Sequence, residues 1–396
     1  MQDESSTPQR YFIIWVPKKP GMVRQWNAGF GRNHVSPIVP SFQHSIFVTT
    51  MLSPSTRIDL KDFSPAELRE FVASYGKEKY RTLQLLKWLY QRGISSFDEM
   101  TNLPKKLREE WKQFCSISTL TPIRLQIARD GTKKFLFQLE DGNRIESVLI
   151  PERNRLTLCV STQVGCGLGC QFCLTGKKGF RRNLKPSEIV NQILAAKKSL
   201  EEDQSITNIV LMGMGEPLAN YENTLKAIQL MTHSDAFKFS SRRVTLSTVG
   251  LLPELERLSL GRVPFRLAVS LNATDDETRS RLMPINRRYP LKKLLDLCRR
   301  FPLRPRERIT FEYVLLKGIN DSIQDARRMV KLLGGIPSKV NLIPLNEAPG
   351  ILYKRPSDEQ VREFQEILMA SGLTAIVRSS KGQEISAACG QLQAEG

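Results

Sequence analysis

The stretch GCGLGCQFC, residues 165–173, holds three cysteines in the spacing C-x3-C-x2-C. Two intervening glycines, Gly167 and Gly169, let the backbone wrap closely around a ligand. The thiolates of Cys166, Cys170 and Cys173 can hold three irons of a cubane 4Fe–4S cluster and leave the fourth iron open for a chelating small molecule. The alternatives are a structural zinc site, which normally takes four protein ligands, and plain buried cysteines. Neither suits this tight spacing, and the sequence has no second cysteine pair.

From about residue 155 onward, strand-like and helix-like stretches alternate. Six strands are predicted, at Thr157–Thr162, Ile206–Met212, Val244–Ser247, Arg266–Leu271, Ile309–Leu315 and Lys339–Pro344. Helices are predicted between several of them, at Ser187–Leu200, Asn223–Met231, Leu291–Arg300 and Ser322–Leu333. Such βα repeats indicate an α/β fold with a parallel sheet, open or curled into a partial barrel. Functional groups gather beyond the carboxyl ends of such strands, and the cysteine stretch follows the first strand there.

The chain before this region reads first as helices and then as a hairpin. Ser64-Pro65-Ala66-Glu67 combines an N-cap, a proline at the first helical position and a capping-box glutamate, and Gly76 ends that helix. Two more helices are predicted, at Lys79–Gln91 and at about 102–114. Their basic residues form either a solvated face or a surface that contacts RNA. Residues 133–150, KKFLFQLEDGNRIESVLI, hold two β-like runs around Asp141-Gly142, which predicts a β-hairpin.

We expect the chain to divide into five parts. These are an N-terminal extension (1–50), a helical accessory domain (51–120), a β-hairpin linker (121–152), the α/β core (153–378) and a C-terminal segment (379–396). The extension has no acidic residue after Glu4. It is interpreted as a disordered basic arm, an organelle transit peptide, or translated upstream sequence with the start at Met51. We favour the last, because a plausible domain begins just after Met51.

Composition limits the class of protein and its partner. The chain has 396 residues, with 59 Lys and Arg against 40 Asp and Glu, and a formal net charge of +19. This excess predicts a polyanionic partner, most simply nucleic acid, rather than solubility tuning. No stretch approaches the roughly 20 apolar residues of a membrane span. Seven cysteines, an odd number, argue against a secreted disulfide framework. Because no secretory signal is visible either, we expect a cytoplasmic protein.

Further polar residues follow the predicted strands. GMGEP, residues 213–217, comes after the second strand, where glycine permits close approach of a ligand. Its carboxylate suits the ammonium group of a bound amino acid. Ser247, Ser270, Asn272 and Asn346 end other strands. Each alone would more often be a turn former, but together they form a plausible pocket with hydrogen bonds to ribose, carboxylate and adenine.

These motifs resemble the signature of the radical S-adenosylmethionine (SAM) superfamily, in which an aromatic residue, here Phe172, precedes the last cysteine. The resemblance implies a partial (βα)6 barrel with a small N-terminal helical accessory domain and a β-hairpin extension. It also implies that SAM chelates the open iron through its amino and carboxylate groups and is cleaved to methionine and a 5′-deoxyadenosyl radical. The SAM-binding residues implied are Gly215, Glu216, Ser247, Ser270, Leu271, Asn272 and Asn346.

A closer resemblance covers residues from about 62 to 393. Residues 150–173 and 377–392 resemble the radical-SAM adenine methyltransferases of ribosomal and transfer RNA. This family uses two SAM molecules per turnover. The resemblance implies that one SAM methylates Cys389 and that a second gives the radical that activates this methyl group for addition to adenine. Glu146 then removes the ring proton. Cys159 attacks the Cys389 sulfur, which releases the RNA and leaves a Cys159–Cys389 disulfide. Cys115 and Cys298 match no family site and are interpreted as structural.

The resemblance therefore implies methylation of carbon 2 of a specific adenosine in 23S ribosomal RNA and of adenosine in certain transfer RNAs. The alternative is carbon 8 of the same ribosomal adenosine, as in the antibiotic-resistance relatives. A low-potential electron donor such as flavodoxin is implied, and we expect a monomer. The basic residues expected to hold RNA phosphate include Lys177, Lys178, Arg181, Arg182, Arg242, Arg243, Arg287 and Arg288.

Two other hypotheses remain open. One is a non-catalytic RNA-binding protein with a cluster or zinc, which would need neither Cys159 and Cys389 nor Glu146. The other is a radical-SAM enzyme that acts on a protein or a small molecule. The net charge and the sequence around the C-terminal cysteine disfavour the second.

Overall fold

The computed structural model describes residues 57–76 and 80–394. The interpretations of residues 1–50 and the predicted helix start at Lys79 lie outside the described residues. No helix among the described residues is long and apolar enough to cross a membrane. The division of the chain into five parts stays a prediction.

Three helices precede the sheet, and a short strand at each end of this helical layer pairs with the other in parallel. The elements are β1 (Ile58–Asp59), α1 (Pro65–Ser74), α2 (Tyr80–Leu86), α3 (Lys105–Phe114) and β2 (Cys115–Ser116). The predicted capping box of α1 is present: Ser64 N donates to Glu67 Oε2 at 2.8 Å, and Glu67 N donates to Ser64 Oγ at 3.2 Å. α2 continues as a π-helical segment, Lys87–Arg92, which ends at Gly93 with a φ of 65°.

The sheet begins with antiparallel strands. They are β3 (Pro122–Ile127), β4 (Lys133–Gln138), β5 (Arg144–Glu152) and β6 (Arg155–Cys159). β4 and β5 form the predicted hairpin, in which Gly142 has a φ of 78°. β3 pairs with β4, and β5 pairs with β6, all antiparallel. The hairpin therefore continues the main sheet rather than standing apart from it.

The rest of the chain supplies a two-stranded antiparallel ribbon, six further parallel strands of the main sheet and the helices that cover them. The strands are β7 (Gln163–Gly165), β8 (Phe180–Asn183), β9 (Asn208–Leu211), β10 (Val244–Thr248), β11 (Arg266–Ser270), β12 (Ile309–Leu315), β13 (Ser338–Pro344) and β14 (Thr374–Val377). The helices are α4 (Leu174–Lys177), α5 (Pro186–Lys197), α6 (Tyr221–Thr232), α7 (Leu252–Ser259), α8 (Asp276–Leu282), α9 (Leu291–Arg300), α10 (Ile323–Leu333) and α11 (Asp358–Ala370). β6 and β9–β14 pair in parallel, in the order β14-β13-β12-β11-β10-β9-β6, and β7 pairs only with β8. All six predicted strands are present. β14 is a seventh that the sequence pattern does not predict, because it is an edge strand with Thr374 and Ile376 exposed and lacks the longer apolar run around β9.

The sheet is open, with β14 and β3 as its two edges. The segment after β14 crosses toward the antiparallel strands. Arg378 Nη2 donates to Glu152 Oε1 at 3.2 Å, and Gly382 N donates to Asp130 Oδ2 at 3.0 Å. The two ends of the sheet therefore curve toward each other, and the C-terminal segment spans part of the gap between them.

The curved sheet has one face under the helices and one face toward a hollow. In β10, the buried residues Val244 and Leu246 alternate with the half-buried residues Thr245 and Ser247. Two further strands hold polar residues at the positions that correspond to Thr245 and Ser247. They are Thr310 and Glu312 on β12, which pair with Lys339 and Asn341 on β13. Because side chains alternate across a strand, these polar residues share the hollow.

Candidate active site

The cysteine loop lies at the carboxyl end of the parallel strands, framed by the β7–β8 ribbon. Cys166 N donates to Gly179 O at 2.9 Å, which joins the two ends of the loop. Gly165 has a φ of +72°, and a Cβ there would collide with Gly179 O. Only glycine fits this crossing, since it tolerates both the positive φ and the close approach. The loop is therefore fixed by its flanks, while its three cysteines are only half-buried.

The three thiols are arranged so that a cluster could take them. Burial raises the pKa of Cys166 to about 11. Burial also raises the pKa of Cys170, and the nearby Cys173 and Cys166 raise it further. Cys173 N donates to Cys170 O at 3.2 Å, so these two cysteines flank one turn of the loop. Among the described residues, no three His, Cys, Asp or Glu side chains are grouped to hold a single metal ion. A cubane cluster does not need such a grouping, because each of its irons takes its own thiolate. The thiols fit that cluster.

Glu216 follows β9 in the predicted glycine-glutamate motif and is buried. Its Oε1 accepts from Leu218 N at 3.0 Å, and its Oε2 accepts from Val249 N at 3.0 Å. Burial raises the pKa of this carboxyl to about 7, although these hydrogen bonds and one from Thr248 oppose the rise. A bound ammonium group would restore the charge of such a carboxylate.

Gly215 makes room for this arrangement. Its φ is +99°, and a Cβ there would lie 2.5 Å from Gln163 Cβ. Gln163 in turn accepts from Glu216 N through Oε1 at 2.9 Å. Gln163 is a residue that the sequence argument missed, and it positions the glycine-glutamate turn against β7.

The other predicted SAM-binding residues lie at the ends of β10 and β11. Ser247 and Ser270 are half-buried, whereas Leu271 and Asn272 are buried. Asn272 has a φ of 56°, and its Oδ1 accepts from Val314 N at 2.8 Å. The Asn272 side chain therefore joins the ends of β11 and β12. Ser247 and Ser270 are more exposed than Asn272.

Arg279 on α8 fastens these strand ends and was not predicted. It is fully buried. Its guanidinium donates to Leu271 O at 3.0 Å, to Ser270 O at 3.0 Å and to Val249 O at 2.8 Å. These bonds tie the carboxyl end of β11 to the loop after β10. Burial lowers the pKa of Arg279 to about 10.

Asn346 follows β13 and holds the C-terminal segment. Its Nδ2 donates to Cys389 O at 3.3 Å, and its Oδ1 accepts from Gln383 Nε2 at 3.0 Å and from Ser380 Oγ. Gly390 O accepts from Leu174 N at 2.8 Å, which attaches the same segment to the helix that follows the cysteine loop. The predicted cofactor-binding asparagine therefore also positions the predicted methyl acceptor.

Cys389 lies between the cysteine loop and β6. The residue is exposed, yet burial raises the pKa of its thiol to about 11, and Glu312, Arg378 and Cys173 all contribute to that pKa. The next residue, Gly390, packs against the cysteine loop, since a Cβ there would lie 3.0 Å from Phe172 O. On the other side, Cys159 ends β6 and is buried, and both burial and the charge of Cys389 raise its pKa. All seven cysteines lie in the described chain and are free.

Glu146 on β5 is buried and fully engaged. Lys134 Nζ lies 3.2 Å from Glu146 Oε1, and Oε2 accepts from Gln393 N at 2.8 Å and from Ala394 N at 2.9 Å. Lys134 Nζ also donates to Ser386 O at 3.4 Å. The predicted base is thus attached to the C-terminal segment on both sides of Cys389. Lys134 was not predicted, because a lysine in the middle of a strand is expected to face solvent.

Glu312 on β12 is a second buried carboxylate that the sequence argument missed. Its Oε1 accepts from Asn341 Nδ2 at 2.9 Å. Burial raises its pKa to about 7, while the charges of Arg378 and Lys339 oppose the rise. The sequence signal that could have found Glu312 is the polar residue within each of two predicted strands, Glu312 on β12 and Asn341 on β13, which pair with each other.

The predicted phosphate-binding residues do not form one surface. Lys178 and Arg181 line a cleft of about 240 Å³, together with Arg144 and Gln393. Arg182 is engaged by Asp141 and by Glu188, with Arg182 Nη1 2.7 Å from Glu188 Oε2. Its charge is therefore satisfied within the protein, which counts against a role in phosphate binding.

Lys177 Nζ donates to Gly350 O. The other four predicted residues lie at opposite ends of the barrel. Arg287 and Arg288 are exposed on the carboxyl-end side, after α8. Arg242 and Arg243 precede β10 and so lie at the amino ends of the strands, away from the cysteine loop. That placement could have been read from the sequence, because the pair comes before a predicted strand rather than after one.

Comparison with known proteins agrees with this architecture. The model of the ribosomal RNA large subunit methyltransferase N-terminal domain matches residues 58–117, and that of the radical SAM superfamily matches residues 160–331. The dual-specificity RNA methyltransferase RlmN of Geobacter sulfurreducens is 55% identical over 338 residues, which cover 85% of this chain and 92% of that protein. The chain belongs to the RlmN family. The RlmN of Syntrophotalea carbinolica is 54% identical over 343 residues, covering 86% of this chain and 91% of that protein.

A solved structure of a radical SAM methyltransferase from Sphaerobacter thermophilus is similar over its whole length. It has a TM-score of 0.80 and 45% identity, and the match covers 85% of this chain and 100% of that chain. RlmN family membership confirms the predicted family, the predicted radical-SAM fold and the predicted class of enzyme, a radical-SAM methyltransferase. Membership also implies a 4Fe–4S cluster and SAM.

Proposed function

We propose that this RlmN family member methylates carbon 2 of an adenosine in 23S ribosomal RNA and in certain transfer RNAs, with Cys389 as the carrier of the methyl group. Relatives named as dual-specificity RNA methyltransferases and the net charge of +19 support RNA as the substrate. The observation that carries the proposal is the position of Cys389. Leu174 N donates to Gly390 O at 2.8 Å, which bonds the residue after Cys389 to the end of the cluster loop, and Asn346 Nδ2 donates to Cys389 O at 3.3 Å. Besides burial, Cys389 also helps to raise the pKa of Cys159.

The cluster and SAM would be held by this chain's own residues. Cys166, Cys170 and Cys173 would ligate three irons, and Glu216 would accept from the ammonium group of SAM beside the open turn at Gly215. Ser247, Ser270, Leu271, Asn272 and Asn346 would line the remainder of the SAM pocket. When bound, the cluster and SAM supply methyl groups and, by reductive cleavage, a 5′-deoxyadenosyl radical.

Cys389 is needed as a methyl carrier, because the edge carbon of adenine is electrophilic and cannot attack SAM. The Cys389 thiol first loses its proton, and the thiolate takes the methyl group of one SAM, whose S–CH3 bond breaks to leave S-adenosylhomocysteine. Removal of one hydrogen atom from that methyl group gives a carbon that adds to adenine. The product is a covalent Cys389–S–CH2–adenine link. Two SAM molecules are used per turnover, one for the methyl group and one for the hydrogen abstraction.

Glu146 then removes the ring proton from the carbon that was attacked, and the adduct passes one electron to an acceptor, a role that the 4Fe–4S cluster would fill when bound. General-base work requires a carboxylate held in a fixed position. The contacts with Lys134, Gln393 and Ala394 support this role, since they fix both carboxylate oxygens close to the segment that carries Cys389.

Cys159 completes the reaction. Its thiolate attacks Cys389 Sγ, an S–S bond forms, and the S–CH2 bond breaks. The electron pair of that bond goes to the carbon, which takes up a proton and becomes the methyl group of the RNA. An external reductant then reduces the Cys159–Cys389 disulfide. We further propose a cytoplasmic monomer with a low-potential donor such as flavodoxin.

The adenine has to leave its stack to reach this site. The cleft of about 240 Å³ lined by Lys178, Arg181 and Gln393 suits the approach of RNA, because its cations can hold phosphate beside the segment that covers Glu146.

The test is anaerobic methylation of defined RNA. The reconstituted protein is given SAM, dithionite and an unmodified 23S RNA fragment, and the digested RNA is compared with 2-methyl- and 8-methyladenosine by mass spectrometry. We expect 2-methyladenosine. 8-Methyladenosine would overturn the carbon-2 assignment, and formation of 5′-deoxyadenosine without any methylated adenosine would overturn this RNA as the substrate.

A further inference from the structure

The amino ends of β10, β11 and β12 form a strongly basic face that the proposed reaction does not use. Three loops feed these neighbouring strands, at residues 233–243, 260–266 and 301–308. Together they contain eight Lys and Arg but only two Asp and Glu. We call this surface the amino-end face. It holds a large part of the net charge of +19 in a small part of the chain.

The two carboxylates of the amino-end face are already engaged. Asp235 Oδ1 lies 3.6 Å from Lys87 Nζ of the helical layer. Glu307 Oε2 accepts from Arg304 N at 3.0 Å. By contrast, the exposed side chains of Arg242, Arg262 and Arg306 have no ion pair or hydrogen bond with any described residue. The positive charge of the face is therefore not neutralised by neighbouring carboxylates.

A cleft of about 730 Å³ joins the three loops. Its polar lining combines the hydroxyls of Ser234, Ser240 and Ser241 with the cations of Lys238 and Arg304. Arg304 Nη2 donates to Val263 O at 2.8 Å and so holds two of the loops together. Arg304 Nη1 also donates to Ser241 Oγ, so within the described chain Lys238 is the cation of the cleft left for a phosphate, beside hydroxyls of the kind that contact nucleic-acid phosphates.

The amino-end face also continues onto the helical layer. Gln91 Nε2 donates to Asp235 O at 2.9 Å, and Lys87 pairs with the same residue. Arg92 stacks on Trp88 beside them, 4.0 Å from the ring centroid. The basic residues of the helical layer and those of the barrel loops therefore adjoin.

We infer that the amino-end face is a second RNA-binding surface, which holds backbone phosphates of a part of the substrate remote from the modified adenosine. The inference rests on the proposed function, since it takes the partner to be the RNA substrate. The strands of this part of the sheet are five to seven residues long, so the face lies roughly 20 Å from the cysteine loop. A short stem–loop seated in the site does not reach it, whereas an RNA with several helices can.

The test uses R242Q/R262Q/R306Q, because none of these side chains has a partner in the described chain. A matched control, R327Q/K331Q/R362Q, removes three exposed cations from α10 and α11. Each protein is titrated at several salt concentrations with a multi-helix 23S RNA fragment and with a stem–loop of about five base pairs, which is shorter than the roughly 20 Å from the site to the amino-end face. Methylation of both RNAs is measured in parallel.

We expect R242Q/R262Q/R306Q to weaken binding of the long RNA about tenfold or more and to lower the slope of log Kd against log salt by two to three, because about one counterion is released per phosphate contact. Binding and methylation of the stem–loop should stay within about twofold of the unmodified protein, and the control should behave like the unmodified protein. An unchanged slope, or an equal fall in the control, would overturn the inference. If the slope falls as expected but the unmodified protein methylates neither RNA, the proposed function fails and the surface assignment stands.

Discussion

Lys134 Nζ lies 3.2 Å from Glu146 Oε1, with side-chain exposures of only 9% and 5%. This buried ion pair joins two neighbouring strands of the antiparallel part of the sheet. Its carboxylate is the proposed base, and its ammonium also contacts Ser386 of the segment that carries Cys389. The pair thus connects the group that removes a proton with the group that carries the methyl.

The first prediction concerns this pair. Lys134→Met should lower the free energy of unfolding by about 3 kcal/mol at neutral pH, because it leaves a buried carboxylate without its cation. The double variant K134M/E146Q should recover most of that loss, since neither charge then remains unpaired. Denaturant unfolding of the reconstituted protein measures both. Lys133→Met is the control: Lys133 donates to Ser199 O at 2.8 Å, and its loss should cost about 1 kcal/mol. Equal losses for Lys133 and Lys134, or no recovery in the double variant, would contradict the prediction.

The second prediction concerns Cys159. In Cys159→Ala the thiol that breaks the Cys389–S–CH2 bond is absent, so an enzyme–RNA species should accumulate that survives denaturing electrophoresis. Cys298→Ala serves as the control, because Cys298 is a buried cysteine on α9. It should release methylated RNA normally. Free methylated RNA from Cys159→Ala at the normal rate would exclude Cys159 as the resolving cysteine.

The third prediction follows from Glu312. Its pKa is raised to about 7 in the folded protein against 4.5 ordinarily. The folded state therefore holds this proton to higher pH than the unfolded state, and stability falls as pH rises from about 4.5 to 7. Above pH 7 the full penalty remains, on the order of 3 kcal/mol.

Glu312→Gln should therefore be more stable than the unmodified protein at pH 8, by up to about 3 kcal/mol, and nearly equal to it at pH 4.5. Unfolding at the two pH values measures the difference. Glu256→Gln is the control, because Glu256 is an exposed partner of Arg300, and such pairs contribute about 0–1 kcal/mol. A Glu312→Gln variant that is less stable than the unmodified protein at pH 8 would show that the charged form is the favoured one.

The sequence predicts the order of the strands and helices well, because capping motifs and hydrophobic periodicity are local properties of the chain. Six parallel strands and the capping box at Ser64 follow from short-range patterns, and each is present. The spacing of Cys166, Cys170 and Cys173 predicts a ligand loop at the carboxyl end, where the loop lies. β14 escapes prediction because it is an edge strand whose Thr374 and Ile376 are exposed, so it lacks the longer apolar run that marks the equally short β9.

Long-range pairings could not be predicted in the same way. The contact between Lys134 and Glu146 depends on the register of β4 and β5. Arg182 reads as a phosphate ligand in sequence, but it pairs with Asp141, which is 41 residues away in the chain. Such partners are decided by how distant elements pack, and a one-residue change of register would move a strand's side chains to the other face.

The most direct test of the account follows the methyl group through Cys389. The protein is first methylated with SAM that carries a CD3 group, freed of excess SAM, and then given unlabelled SAM, reductant and RNA for a single turnover. We expect RNA whose new methyl group is CHD2, with one deuterium recovered in 5′-deoxyadenosine. This follows because one deuterium atom is abstracted from the S-methyl group and one proton is later taken up. An unlabelled CH3 group on the first product would mean that the methyl group never passed through Cys389 and would contradict the account.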